Sequence, residues 1–302
     1  MKILATQKYV FAADSRILVR RNGDTLKEEW TTKTLGHIHK IMYAEEEESL
    51  FVSTTEEFLK YDMITLQKQW TRTSPTMGEF TLISSDAMAC FDYGIVRILS
   101  ISSGNCLAVA SGVFYESNLA SMGNNEWILS SQDIPIRHWE YNQRSVSEGN
   151  GSIILLKEVR TGHRKNSFVY HPSLHKVTAF AWNGTMEIYD CRSWTLLWTS
   201  DRPSLFSCVY YTGVPALVPG TFIKVIRELG NDKSFVLTNG NRIIKTEPGE
   251  AFSFLPSGNK MIVYDQGILR KVDIYRRDRM MSLLHGQSHF PSVVWRMLRQ
   301  KI

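Results

Sequence analysis

A unit of roughly forty residues recurs along the whole of this chain, and no other feature limits its fold so sharply. The clearest copy runs from His39 to Thr73. It opens with the apolar run Ile41-Met42-Tyr43-Ala44, turns through Glu45 to Ser49, and continues as Leu50-Phe51-Val52-Ser53-Thr54. After Thr55-Glu56-Glu57 comes Phe58-Leu59-Lys60-Tyr61-Asp62, then a turn, then Leu66-Gln67-Lys68-Gln69-Trp70-Thr71. Each piece has strand length, and each break carries turn residues or charge. The unit therefore reads as four short antiparallel strands. The same order of pieces opens again near Met1, Glu79, Glu116, Asn166, Leu205 and Ala251. Three of the fourth strands share a Leu-to-Trp-Thr ending: Leu26 to Thr31, Leu66 to Thr71, and Leu196 to Thr199. A bulky ring repeated at the end of an outer strand implies one packing task performed several times.

A four-stranded sheet this small cannot bury both of its faces alone, whereas sheets set radially around an axis cover one another and leave only short edges. The expected fold is accordingly all-β: a seven-bladed β-propeller of four-stranded antiparallel blades over residues 1–289, with a short C-terminal extension over 290–302. Ring closure puts the Met1 to Thr32 blade beside the Ala251 to Leu284 blade. The sixth blade is expected over Leu205 to Arg242. Two stretches depart from the regular spacing: Arg144 to Gly151, a loop excursion, and Leu229 to Lys233, a tight hairpin turn around Gly230-Asn231-Asp232.

Composition agrees with a soluble β protein: of 302 residues, 43% are hydrophobic, 22% charged and 11% aromatic, and rings suit pleated surfaces. Helical periodicity is absent until the tail. There, Pro291 near the start of Phe290 to Ile302 favours a short helix with Val294, Met297, Leu298 and Ile302 on one side and basic residues opposite. Such a helix would latch the ring or dock a partner; a strand completing a blade is the other reading of the tail. The opening residues, with Lys2 and Lys8, are too polar for a secretory signal core, and no window is apolar enough to cross a bilayer. Cys90, Cys106, Cys191 and Cys208 form no CxxC pair, which fits a reducing cytoplasmic or nuclear setting.

The segment Gly162 to Thr199 resembles a WD repeat. Gly162-His163 stands at the entry, Phe168-Val169-Tyr170-His171-Pro172 at the first strand and its turn, and Asn183-Gly184-Thr185-Met186-Glu187-Ile188-Tyr189-Asp190 at the second turn and third strand. Gly36-His37 forms a second entry pair. Asp92-Tyr93-Gly94-Ile95-Val96-Arg97-Ile98 is similar to the turn and third strand of the family, and Ser103-Gly104-Asn105-Cys106-Leu107 to the small turn that follows. Asp62 and Asp190 occupy the family's terminal aspartate, with Tyr61 and Tyr189 in place of its tryptophan. The resemblance implies a rigid, non-catalytic scaffold or adaptor whose loops bind one or more partner proteins. Fold alone does not dictate that function.

No nucleophile with a base, paired carboxylates or clustered metal ligands stand at a spacing that catalysis requires, and no cofactor is expected. His37 with His39, and His171 with His175, lack the further ligands that a metal needs. Glu45 to Glu48 reads as a solvated hairpin tip held open by like-charge repulsion. The net charge is +5, and basic residues gather at the two ends of the chain: Arg16, Arg20 and Arg21, then Arg270, Lys271, Arg276, Arg277 and Arg279, then Arg296, Arg299 and Lys301. Ring closure would bring these into one seam able to attract an acidic peptide or nucleic-acid backbone. Turns between second and third strands are expected to line one face of the disc and to offer Asp92, Tyr93, Trp182, Asn183, Phe222, Asp265 and Gln266 to a partner; Trp295 in the tail joins them. The rival reading is a quinoprotein-like propeller enzyme, for which the repeated Trp-Thr endings speak and the missing export signal does not.

Overall fold

Strands whose residues are buried on both faces need neighbours on both faces, and the second strands of the first four sheets have them. The computed structural model describes residues 1–73, 78–92, 94–111, 117–131, 135–143, 151–160, 165–171, 175–181, 185–199, 214–215, 222–227, 234–239, 242–255 and 260–273. These form antiparallel sheets in which consecutive strands pair as meanders. The first sheet holds β1 (Lys2–Ala5), β2 (Tyr9–Asp14), β3 (Ile17–Asn22) and β4 (Glu28–Lys33). The second holds β5 (Ile38–Ala44), β6 (Ser49–Thr54), β7 (Glu57–Asp62) and β8 (Lys68–Thr73), the third β9 (Glu79–Leu82), β10 (Ala87–Asp92), β11 (Ile95–Ser100) and β12 (Cys106–Ser111). The fourth holds β13 (Ser117–Gly123), β14 (Glu126–Ser131), β15 (Ile136–Asn142) and β16 (Ser152–Val159), the fifth β17 (Lys165–His171), β18 (Lys176–Ala181), β19 (Met186–Asp190) and β20 (Leu196–Thr199). The sixth holds β21 (Val214–Pro215), β22 (Phe222–Arg227), β23 (Ser234–Asn239) and β24 (Arg242–Pro248), and the seventh β25 (Ala251–Phe254), β26 (Lys260–Asp265) and β27 (Ile268–Asp273). The sixth sheet therefore runs past the expected Arg242 limit, because Arg242 opens its outer strand instead of closing it. The tail over 290–302 lies outside the described residues.

Each core cluster lies between two sheets. In β6, alternation sends Leu50 and Val52 towards the first sheet, where they meet Phe11 and Leu18, and sends Phe51 towards the third, where it meets Phe80, Met88 and Cys90. In β10 and β14 the same alternation directs Ala89, Phe91, Trp127 and Leu129 into the space between sheets three and four. Ile128 meets Val177 and Ala179 of the fifth sheet on its other side. The seventh sheet closes on the first: Ile262 packs on Ala5 and Val10, and the Ala5 amide donates to Ser253 Oγ at 3.0 Å. Burial holds the Cys90 and Cys191 thiols protonated, with Cys191 pushed up to about 12, so these two act as small core residues, whereas Cys106 is exposed.

One turn is built the same way in four sheets. Asn22, Asp62 and Asp190 close a third strand, and each side-chain Oδ1 accepts the amides two and three residues on, at 2.8 to 3.0 Å. Ser100 does the same job with its hydroxyl, accepting from the Ser103 amide at 3.4 Å. The residue after each cap donates its amide to the turn between first and second strands: Gly23 to Lys8, Met63 to Glu48, Ile101 to Asp86 and Cys191 to His175. Four residues after the cap the chain enters the left-handed region, at Leu26, Leu66, Gly104 and Trp194. For the three non-glycine residues that costs on the order of 1 kcal/mol each, which packing offsets for the buried Trp194.

Six outer strands carry a register shift of one residue, the unopposed residues being Glu29, Gln69, Leu107, Leu156, Leu197 and Ile244. An extra residue on an outer strand bends it and strengthens its twist.

The caps yield a prediction. Backbone amides, that of Thr65 first, hold the Asp62 carboxyl below its ordinary pKa, so its contribution is present above the unfolded carboxylate pKa and fades as pH falls through the lowered native value. Asp62→Ala should cost about 1 kcal/mol of stability at neutral pH, Asp62→Asn much less. Urea unfolding across the acid range should show the wild type and Asp62→Asn converging.

Candidate interaction surface

Turns between second and third strands share one end of the sheets with the links between sheets. The Thr34 and Ile38 amides donate to Arg16 and Ser15 carbonyls at 2.9 and 2.7 Å, and Ser15 Oγ lies 3.0 Å from His37 Nδ1. His37 thus braces a turn. Asp92 ends β10 and Asp265 ends β26, both at this end, where Gln266 and Gly267 make a tight hairpin with φ of 47° and 86°. Two consecutive positive φ values match the twist of the flanking strands.

Phe222 does not join them. It is the first residue of the second strand β22, paired with Pro215, so it sits at the opposite end from Asp92 and Asp265; the expected sixth unit was placed out of step with the strands. Tyr93, Trp182, Asn183, Arg276, Arg277, Arg279, Trp295, Arg296 and Arg299 lie outside the described residues.

Three aliphatic side chains at this end stand out in solvent: Ile17 at 52%, Leu35 at 65% and Ile268 at 66% exposure. Ile17 pairs with Asp14, Ile95 with Asp92 and Ile268 with Asp265. Asp-x-x-Ile is therefore a repeated hairpin of sheets one, three and seven, and that spacing in the sequence was the signal for Ile17 and Ile268. Neighbouring charges are mixed, with Arg16 in the same turn as Asp14 and Lys33 opposite Ile17.

At the other end, the Glu45–Glu48 run is not an open tip. Glu48 takes an ion pair from Lys8 and a hydrogen bond from Tyr43, and the Lys8 contact holds its carboxyl below the usual range. Lys60 Nζ lies 3.2 Å from Glu47, and the Gln7 amide donates to Glu45 at 3.4 Å. The run clamps the first sheet to the second. No partner-binding role is needed to account for it.

The basic seam is similarly engaged. Arg20 lies over Tyr9 at 4.6 Å, donates to the Met63 carbonyl at 2.6 Å and approaches Glu29 at 3.3 Å. Arg21 donates to the Leu26 carbonyl at 3.1 Å and Arg270 to that of Pro248 at 2.6 Å. Lys271 pairs with Asp24 at 3.2 Å across the junction of the last and first sheets. These cations hold the fold together, whereas Arg16 stays exposed. Among the described residues no group of three or more His, Cys, Asp or Glu side chains is placed to hold a metal ion. Nor is any described helix long and apolar enough to cross a membrane.

Two of the three repeated tryptophans, Trp30 and Trp70, reach forward to the next sheet, whereas Trp198 is 46% exposed. Trp30 meets Tyr61 edge-on at 5.3 Å. Trp70 Nε1 donates to the Ile101 carbonyl at 3.0 Å and its ring covers Gly104, where an added Cβ would lie 3.1 Å from the indole. Gly104 is thus required by this contact, and as glycine it adopts its positive φ without the cost that Leu26, Leu66 and Trp194 bear. Between sheets four and five Trp194 Nε1 donates to His138 Nδ1 at 3.3 Å, and His138 Nε2 lies 2.8 Å from Glu126.

A solved chain from the crystal structure of a mitotic checkpoint complex has the same arrangement, with a TM-score of 0.68 over 91% of this chain and 90% of that one, at 12% identity. The fold is that of a β-propeller. No family model and no curated protein matches the sequence. The sheets are hence blades, with first strands innermost, and the Trp30–Tyr61, Trp70–Ile101, Trp194–His138, Arg20–Met63 and Arg270–Pro248 contacts are blade-to-blade ties.

Trp70→Phe, which keeps the ring and loses the bond to Ile101, should cost about 1 kcal/mol. Amide exchange should quicken in the Ser100–Asn105 turn of blade three and not in β6; equal acceleration in both would contradict a tie between blades.

Proposed function

We propose that this chain is a seven-bladed propeller of the WD-repeat type, spanning residues 1–289, that serves as a non-catalytic scaffold for partner proteins. The observation that carries the reading is the Asp-x-x-Ile hairpin of blades one, three and seven, which leaves Ile17 and Ile268 exposed on one face of a rigid ring. Rigid display of aliphatic anchors suits protein recognition, because little conformational entropy is lost on docking. Asp92, Tyr93, Trp182, Asn183, Asp265 and Gln266 are assigned to the same face, and a cytoplasmic or nuclear multi-protein complex is the expected setting. The structural neighbour belongs to a multi-protein complex, which agrees with that setting. The 290–302 extension is assigned to a helix at the seam, where Arg276, Arg277, Arg279, Trp295, Arg296 and Arg299 would take part in docking.

Affinity purification with crosslinking and mass spectrometry tests the assignment. A chain carrying Ile17→Asp, Leu35→Asp and Ile268→Asp should fold with wild-type stability and lose partners that the wild type retains. Retention of every partner by that variant would refute the face as the binding surface.

A further inference from the structure

The outer strands of the blades differ in what they present to solvent. β4 reads Glu-Glu-Trp-Thr-Thr-Lys and β8 reads Lys-Gln-Trp-Thr-Arg-Thr, while β16 reads Ser-Ile-Ile-Leu-Leu-Lys-Glu-Val. Charge on an edge strand deters pairing with another chain, and a long apolar edge invites it. β16 spans eight residues and ends its sheet among the described residues.

Apolar surface is exposed on both sides of this strand: Ile154 is 39%, Leu155 43% and Leu156 42% exposed. Leu155 stands opposite Trp139 and Ile154 opposite Glu140. Trp139 packs on the core between blades three and four, so Leu155 points to that side and Ile154 to the blade-five side. The bulge falls at Leu156, which leaves Ser152–Leu155 as a regular edge segment paired with Trp139–Asn142. Glu158 is engaged by Arg137 at 2.9 Å. Lys157 is exposed beside the aliphatic run, and no carboxylate partner for it appears among the described ion pairs.

We propose that β16 is a strand-docking edge, which takes an extended segment of a partner protein as a fifth strand of blade four. The row of outward backbone groups selects an extended occupant. Aliphatic side chains on that occupant would cover Ile154 and Leu155, and a carboxylate would face Lys157. The proposal needs only blade four as described and is independent of the turn-bearing face.

The test is to pan a phage-displayed random octapeptide library against the full chain. Enriched peptides should alternate aliphatic residues and carry Asp or Glu. A synthetic copy should bind at least about tenfold more weakly to Lys157→Glu and retain its affinity for Lys157→Arg. N-methylation at alternate peptide backbone positions should abolish binding in one of the two phases. Lys157→Glu lies on the surface, and its urea midpoint checks that the fold survives. Ile17→Asp should leave peptide binding unchanged, which separates this edge from the face. No enrichment, binding indifferent to Lys157→Glu or to N-methylation, or a wild-type dimer dissolved by Lys157→Glu would overturn the proposal; the last would make a second copy the occupant.

Discussion

The structure depends on second strands that have a neighbour on both faces, as β2, β6, β10 and β14 do. β6 is buried along its whole length, and its Leu50 and Phe51 point into different inter-blade cores. No single blade could bury both. Fully burying a side chain of this size is worth about 1.5 to 3 kcal/mol, and in this fold that gain is divided between two interfaces. Stability consequently belongs to pairs of blades. Trp30 on Tyr61, the Lys8–Glu48 clamp and the Arg20 contact with Met63 all act at the joint of the first two blades, and Trp70 on Ile101 at the next.

Local turn chemistry sets the blades so that these joints can form. A capped turn pins the end of the third strand to the end of the first hairpin through one backbone bond, at Gly23, Met63, Ile101 and Cys191 alike. Three different side chains make the cap, and only the acceptor oxygen is common to Asn22, Asp62, Ser100 and Asp190. The left-handed residue that follows is Gly at one position and Leu or Trp at others. At Trp194 the strain is offset because the ring is gripped by His138 and Tyr189, and Leu26 packs on the core between the last and first blades.

Much of this was legible in the chain. The expected starts at His39, Glu79, Glu116, Asn166 and Ala251 fall within a residue or so of β5, β9, β13, β17 and β25, because apolar runs separated by turn residues report strand period directly. Asp62 and Asp190 were visible as strand-terminal residues. Asn22 and Ser100 were not, since a cap is defined by an oxygen and not by one residue type. The acidic run read as a repelled tip because its cations, Lys8 and Lys60, arrive from another blade or another strand, and pairing at that range leaves no local trace. Phe222 was misplaced for a different reason: the sixth unit was expected over Leu205 to Arg242, whereas its second strand opens at Phe222 and its fourth at Arg242. The exposed isoleucines needed three hairpins to be compared at once.

Closure of the ring is the claim on which the rest turns, and Lys271 with Asp24 offers a direct probe of it. Treating the monomeric chain with a zero-length carbodiimide crosslinker and mapping the products by mass spectrometry should recover a link between Lys271 and Asp24, alongside the Lys8–Glu48 and Lys60–Glu47 links as internal controls. Recovery of both controls without any link between the first and last blades would show an open array, and the account of mutual shielding would fail.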